Sequence, residues 1–328
     1  MIVAPNWLGD AVMALPAVAD VRRGRPGASL VVAARPSIAP LFSLVPGVDD
    51  VVVLPARGAA PLSGCDVALL LPNSFHSALT AARAGIRERW GYRGDWRGAL
   101  LTRAIDRPPA GVHQIDSYQR LVASLGFANG PSIPSLALSG DARDAGRRLL
   151  TAAGWDGRAP LAALAPGAAF GSAMRWAPEA FADLAAGLAE DGVTTVVVGA
   201  TTDRPAANDV IRAIGSRALP IDVVGRTDLP TLAGVLVHCR ALVANDSGAL
   251  HLAAALGVNV AAVFGPTDER TTSPRAASPE ARVAILSNNT WCRPCGLREC
   301  PLDHACMRGV HAEHVLRSAR PLLVSAAS

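Results

Sequence analysis

The sequence contains no lysine; all 31 of its basic residues are arginine. Any cationic contact to a phosphate must therefore come from a guanidinium, an imidazole or backbone N–H groups. Aromatic residues are scarce, at 4%, so the cores must be built from Ala, Val and Leu. No apolar run approaches the roughly 20 residues of a membrane helix. The start, Met1-Ile-Val-Ala-Pro-Asn6, lacks the basic and apolar regions of a secretory signal and reads as a strand. A cytoplasmic protein is expected. No glycine fingerprint for a dinucleotide and no phosphate-binding P-loop sequence is found, which disfavours an NAD-dependent oxidoreductase.

What is present suits two soluble domains: 328 residues, half of them apolar and 18% charged. Continuous apolar runs lie at 2–4, 30–34, 51–54 and 67–71, and again at 161–165 and 193–199. Runs of this kind, as opposed to alternating ones, indicate strands covered on both faces of a parallel sheet. Helical spacing alternates with them over 9–22 (despite Pro16), 74–84, 113–125, 178–191, 204–214 and 229–239. The stretch 126–158 is rich in Gly, Pro, Ser and Asp, with one helical segment over 141–153, and marks a domain boundary. The expected organisation is an α/β fold of two Rossmann-like parallel-sheet domains, 1–150 and 151–310, facing a central cleft. A helix within 311–328 is expected to pack back on the first domain.

The net charge of +4 is concentrated, because residues 83–107 carry seven Arg against Glu88, Asp95 and Asp106. Aromatics interleave there: Arg87, Arg89, Trp90, Tyr92, Arg93, Trp96 and Arg97. The patch is too short for a nucleic-acid-coating surface, and no nucleic-acid partner is expected. It reads either as a docking surface for an anionic sugar or lipid headgroup, or as a solvated face of Arg–acid pairs.

Of six cysteines, Cys65 and Cys239 adjoin apolar segments and read as packing residues. Cys292, Cys295, Cys300 and Cys306 have C-x2-C-x4-C-x5-C spacing, with His304 nearby. They are candidates for a structural metal or cluster, though zinc ribbons separate their pairs by more residues. The other reading is a reduced, locally packed loop.

Three turns carry the chemistry. Pro5-Asn-Trp-Leu-Gly-Asp10 lies between the first strand and the first helix. Asp10 is there either a helix cap or a general base facing an acceptor hydroxyl. Pro166-Gly-Ala-Ala-Phe-Gly171 with Arg175-Trp176 is a Gly-rich loop that suits close approach to phosphates, or an ordinary βα loop with a solvated Arg175. Asn245-Asp246-Ser247-Gly248 is a strand-to-helix turn with His251 in the first helical turn, a setting that suits an anion. The turns at 198–203 and 224–229 end further strands and together could hold a nucleoside.

These motifs, with Phe264-Gly-Pro-Thr267 and Trp291-Cys-Arg-Pro-Cys295 through Arg298-Glu-Cys-Pro301, occur in one order along nearly the whole chain. The set resembles the ADP-heptose:lipopolysaccharide heptosyltransferases of glycosyltransferase family 9, and within it the heptosyltransferase II group. The resemblance implies a GT-B fold, with the acceptor held mainly by the first domain and the nucleotide-sugar donor by the second. It implies inverting transfer of heptose from ADP-L-glycero-D-manno-heptose to an inner-core lipopolysaccharide acceptor at the membrane face, with no required cofactor. Carried over, Asp10 is the general base. Arg175, Asp246, Ser247, Gly248 and His251 hold the donor, with Thr227 near the adenine. Asn6, Arg93 and Arg97 meet the anionic acceptor. Two positions depart from the pattern: Met174 stands where a Lys is expected, and Ala169 where an acid is expected. A family member with another donor or a secondary-metabolite acceptor remains an alternative, as does a non-catalytic nucleotide-sugar or metal-binding protein.

Overall fold

The continuous apolar runs become parallel strands, as burial on both faces requires. In the computed structural model, which describes residues 1–55, 62 and 64–324, the chain divides into two units, Met1–Ala137 and Leu138–Ser328. The first holds β1 (Ile2–Val3), β2 (Val31–Ala34), β3 (Asp50–Val53), β4 (Val67–Leu70), β5 (Glu88–Tyr92) and β6 (Arg103–Ile105). They form one sheet in the order β3-β2-β1-β4-β5-β6, all parallel, with Ile2 opposite both Val32 and Leu69. The second unit holds β7 (Leu161–Ala165), β8 (Thr194–Val197), β9 (Ile221–Asp222), β10 (Ala241–Asn245), β11 (Asn259–Phe264) and β12 (Val283–Ser287). Their order is β12-β11-β10-β7-β8-β9.

Both sheets therefore have the same Rossmann winding. The strand order reverses between β1 and β4 in the first unit, and between β7 and β10 in the second. At such a reversal the flanking crossovers leave on opposite faces, and a crevice opens beyond the strands' carboxyl ends. The loops at those ends are the turns singled out by sequence: Pro5–Asp10 after β1, Pro166–Trp176 after β7, and Asp246–Gly248 after β10.

Four features differ from expectation. The helical run over 9–22 is two helices, Leu8–Met13 and Leu15–Gly24, parted at Ala14. Pro16 has no N–H to give the carbonyl four residues back, but it fits the first turn of the second helix. β5 and β6 were hidden by their arginines, which read as surface. The expected boundary at 150 falls too late, because the Gly140–Ala152 helix packs on Leu229–Leu236 in the second unit. The C-terminal helix, Ala312–Leu323, expected to pack on the first domain, contributes to the core of the second unit. Its Val315, Ala319, Leu322 and Leu323 join Phe181, Leu184 and Leu188 in that unit's core.

The Gly140–Ala152 contact depends on missing side chains. A Cβ on Gly146 would lie 2.1 Å from the Gly234 carbonyl carbon, and one on Gly234 would lie 2.0 Å from the Ala142 oxygen. Gly146→Ala must force these backbones apart, which is expected to destabilise the protein by about 1–3 kcal/mol. The helix-propensity gain, at most about 1 kcal/mol, does not offset it fully. Urea unfolding measures the difference; a variant as stable as the parent would contradict this contact.

Candidate active site

The crevice of the second unit is tied together by Asn245, the last residue of β10. Its side chain is fully buried, accepts from the Trp176 N–H (2.9 Å) and donates to the Pro166 carbonyl (2.8 Å). A polar residue closing a five-residue apolar strand thus joins the loop after β7 to the turn after β10. The turn then enters the Gly248–Ala255 helix with Ser247 as its N-cap. A capping serine normally accepts an N–H of the first helical turn. Here it does not, and the buried Ser247 hydroxyl has no hydrogen-bond partner among the described residues. The first-turn N–H groups have no acceptor within the helix either, so donors converge on a place that suits an anion or a sugar oxygen.

Asp246 is fixed from two sides. Its Oδ2 accepts from the Thr267 hydroxyl at 2.8 Å and from Thr272 Oγ1 at 3.5 Å. Its Oδ1 lies 3.6 Å from His251 Nε2, and both side chains are buried. Thr267 follows β11, so the loop after that strand orients the carboxylate. Gly248, two residues on from Asp246, is the first residue of the helix.

The loop after β7 lies close against its neighbours. A Cβ on Gly167 would meet the Asp203 carboxyl carbon at 2.3 Å, and one on Gly171 the Arg298 carbonyl oxygen at 2.1 Å. Met174, at the position of the expected Lys, is buried. Arg175 is exposed; its backbone N–H donates to the Ser172 carbonyl at 3.1 Å, while its guanidinium, without a hydrogen bond or ion pair among the described residues, is available. A cavity of about 510 Å³ opens beside this loop, with Ser172, Arg175, Trp176, His304 and Arg308 on its wall. Asp246 and His251 do not line it. The turns after β8 and β9 also come together: the Gly225 N–H donates to the Gly199 carbonyl at 2.9 Å. Thr227 is half-buried on the second of these turns, just before Asp228, which caps the Leu229–Leu236 helix.

In the first unit, Asp10 is not the helix cap. Trp7 holds that position, and Asp10 is the third residue of the Leu8–Met13 helix, half-buried. Beside it, burial holds the Tyr118 phenol protonated well above its ordinary range, and the Asp10 carboxylate adds to the effect. Tyr118 was not anticipated, since an aromatic on an amphipathic helix reads as core. Asn6 is exposed on the same loop.

The basic patch is largely spent internally. Arg97, expected at the acceptor surface, is fully buried. It donates to the Tyr92 carbonyl (2.8 Å), the Pro72 carbonyl, Ser77 Oγ (3.3 Å) and Asn73 Oδ1 (3.3 Å), bracing the loop after β4. Burial pushes its pKa down to about 10. This corrects its expected role: no surface is left for a ligand to contact. Arg89 donates to the Leu100 carbonyl (2.6 Å), and Arg103 lies 4.8 Å over the Trp90 ring. Arg93 stays exposed, 3.6 Å from the Asp106 carboxylate. A pair like that is worth little in water and leaves Arg93 available to an anion.

Cys292 and Cys300 are half-buried, Cys295 is exposed and Cys306 is buried, all as free thiols. Among the described residues no group of three or more His, Cys, Asp or Glu is arranged to hold a metal ion. Burial first, and the neighbouring cysteines second, raise the Cys306 thiol. Cys239 is inert packing, its thiol pushed up to about 12 by burial.

Residues 59–306 match glycosyltransferase family 9 (heptosyltransferase). Lipopolysaccharide heptosyltransferase 2 of Escherichia coli (strain K12) is 30% identical over 307 residues, 87% of each chain. The protein of the same name from Salmonella typhimurium is 31% identical over 312 residues, again 87% of each. The solved structure of E. coli ADP-heptose lps heptosyltransferase II superimposes with a TM-score of 0.82 at 26% identity, covering 98% of this chain and 97% of that one. With two Rossmann-wound sheets and these relatives along its length, the chain has the GT-B fold and belongs to glycosyltransferase family 9, the heptosyltransferases.

Proposed function

We propose that this chain moves heptose from ADP-L-glycero-D-manno-heptose to a heptosyl/Kdo-lipid A inner-core acceptor, with inversion at the anomeric carbon. The observation that carries the reading is the turn after β10. A buried, unpartnered Ser247 hydroxyl and uncapped helix N–H groups stand beside the held Asp246–His251 pair. That set of donors suits a diphosphate whose charge grows as it leaves.

In the proposed reaction the Asp10 carboxylate takes the proton of the acceptor hydroxyl. The acceptor oxygen bonds to the anomeric carbon from the face opposite the diphosphate. The bond from that carbon to the diphosphate oxygen breaks, and ADP keeps the electron pair. Ser247, the Gly248–Ala255 N-terminus and Arg175 stabilise the departing charge, and Asp246 with His251 orients the sugar and diphosphate. Thr227 belongs to the adenine side. Asn6 and Arg93 meet the anionic acceptor, while Arg97 supports the loop beside them from within.

An acceptor built on lipid A brings the reaction to a membrane surface. No helix among the described residues is long and apolar enough to cross a membrane. We assign the protein to the cytoplasm, in peripheral contact with the inner face of the cytoplasmic membrane. The mechanism asks nothing of a metal at Cys292, Cys295, Cys300 and Cys306. Metal analysis after anaerobic purification is expected to find less than one equivalent; stoichiometric zinc or iron would show instead that these cysteines hold a metal.

The buried Met174 favours one second reading, the same transfer from a different nucleotide sugar. A panel of ADP-, GDP- and UDP-sugars offered with the inner-core acceptor separates the two. Nucleotide release is expected with ADP-heptose; release only from another sugar supports the second reading, and none from any heptose donor overturns the first.

A further inference from the structure

The segment Arg293–Arg298, between the cysteines, reaches both loops that flank the turn after β10. In the sheet β10 lies between β11 and β7. On the β11 side, Arg293 Nε donates to the Gly265 carbonyl at 2.6 Å, and its Nη2 donates to the Thr267 carbonyl at 3.0 Å and to the Glu269 carboxylate. The Gly296 N–H donates to the Pro266 carbonyl at 2.8 Å. On the β7 side, the Arg298 carbonyl accepts from the Ala173 N–H at 3.0 Å, and its guanidinium lies 5.0 Å over the Phe170 ring. The segment is a strap across the mouth of the crevice.

Arg293 is the gripping residue of that strap. Its side chain is only 7% exposed, and its planar fork is spent on three acceptors of one turn. That turn carries Thr267, whose hydroxyl holds Asp246 Oδ2 at 2.8 Å. Arg293 fixes the Thr267 backbone, Thr267 fixes the Asp246 carboxylate, and Asp246 faces His251. No arginine-to-ligand contact is needed.

We infer that Arg293 is a positioning residue for donor binding, acting through Thr267 on Asp246. The inference rests on the reading of that turn as the donor site. A lysine could keep the charge opposite Glu269, but it lacks the fork that spans both carbonyls.

The test is a cycle of Arg293→Ala, Arg293→Lys, Thr267→Val and the two double variants, read by calorimetric titration with ADP and by steady-state kinetics with ADP-heptose. Arg293→Ala is expected to weaken ADP binding and raise the donor KM about 10- to 100-fold, the scale of a misplaced site group. The acceptor KM should stay within about twofold, and Arg293→Lys should recover part of the loss. If Arg293 acts through Thr267, each double variant falls no further than the worse of its two single variants. A folded Arg293→Ala with parental ADP affinity overturns the inference, and so do independent, multiplying effects. Should Arg293→Ala not fold, the lysine cycle decides by the same criterion. A parent protein that binds no ADP removes the donor-site reading itself, whereas parental binding that survives in every variant removes only the strap's role.

Discussion

Asp10→Ala is expected to lower kcat by about 10²- to 10⁴-fold, the usual contribution of a positioned general base. ADP affinity should stay within about twofold, because the donor reading places its contacts in the second unit. A thermal melt of the variant separates this loss from one of folding. Asp10 lies third in a six-residue helix and is not its cap. Its favourable charge near the helix N-terminus is worth about 0.3–1 kcal/mol. The expected kinetic loss corresponds to about 3–5 kcal/mol in activation free energy. Asp10→Asn keeps the shape and should be nearly as slow, since an amide cannot accept the proton. Turnover undiminished in both variants would remove Asp10 as the general base.

The second large effect belongs to Asp246. Asp246→Ala removes the acceptor of the half-buried Thr267 hydroxyl and the neighbour of the buried His251. Leaving such groups unpaired costs about 1–3 kcal/mol of stability, so melting should be lowered but not abolished. Donor kcat/KM should fall by about 10²- to 10³-fold, comparable with loss of a charge-stabilising group. Here ADP binding weakens too, which separates the variant from Asp10→Ala. Asp246→Asn still accepts from Thr267 but carries no charge beside His251, and an intermediate value is expected. Parental kinetics in the alanine variant would detach this pair from donor binding.

The buried sheets were largely legible. β7, β10 and β11 are continuous apolar runs because helices cover both faces, and that composition has few other uses. The loops at their ends stood out for the same reason, since polar residues directly after a buried strand must face a crevice or solvent. β5 was not legible. Its Arg89 and Trp90 are half-buried beside β6, and charged residues there outweigh the strand pattern. Arg97 misled for a related reason. Among seven arginines, sequence gives no sign of which one turns inward to satisfy the Pro72 carbonyl 25 residues earlier. The cysteine spacing drew attention to thiols, whereas the contacts to the crevice come from Arg293, Gly296 and Arg298 between them. Asn245 could have been found, as a lone amide ending an apolar strand must satisfy itself on neighbouring backbone.

Gly146 shows the same limit at the domain boundary. In sequence it weakens the 141–153 helix and favours a linker. In the structure it is the point where that helix meets Gly234 backbone to backbone. The residue that lowered helical propensity is the one that assigns the helix to the second unit.

The most direct measurement is a single-turnover incubation of the protein with ADP-heptose and a heptosyl/Kdo-lipid A acceptor, followed by mass spectrometry and NMR of the product. The account predicts an acceptor heavier by one heptosyl residue, one ADP released per transfer, and an anomeric configuration opposite to the donor's. An acceptor of unchanged mass, or a heptose attached with retained configuration, would contradict it.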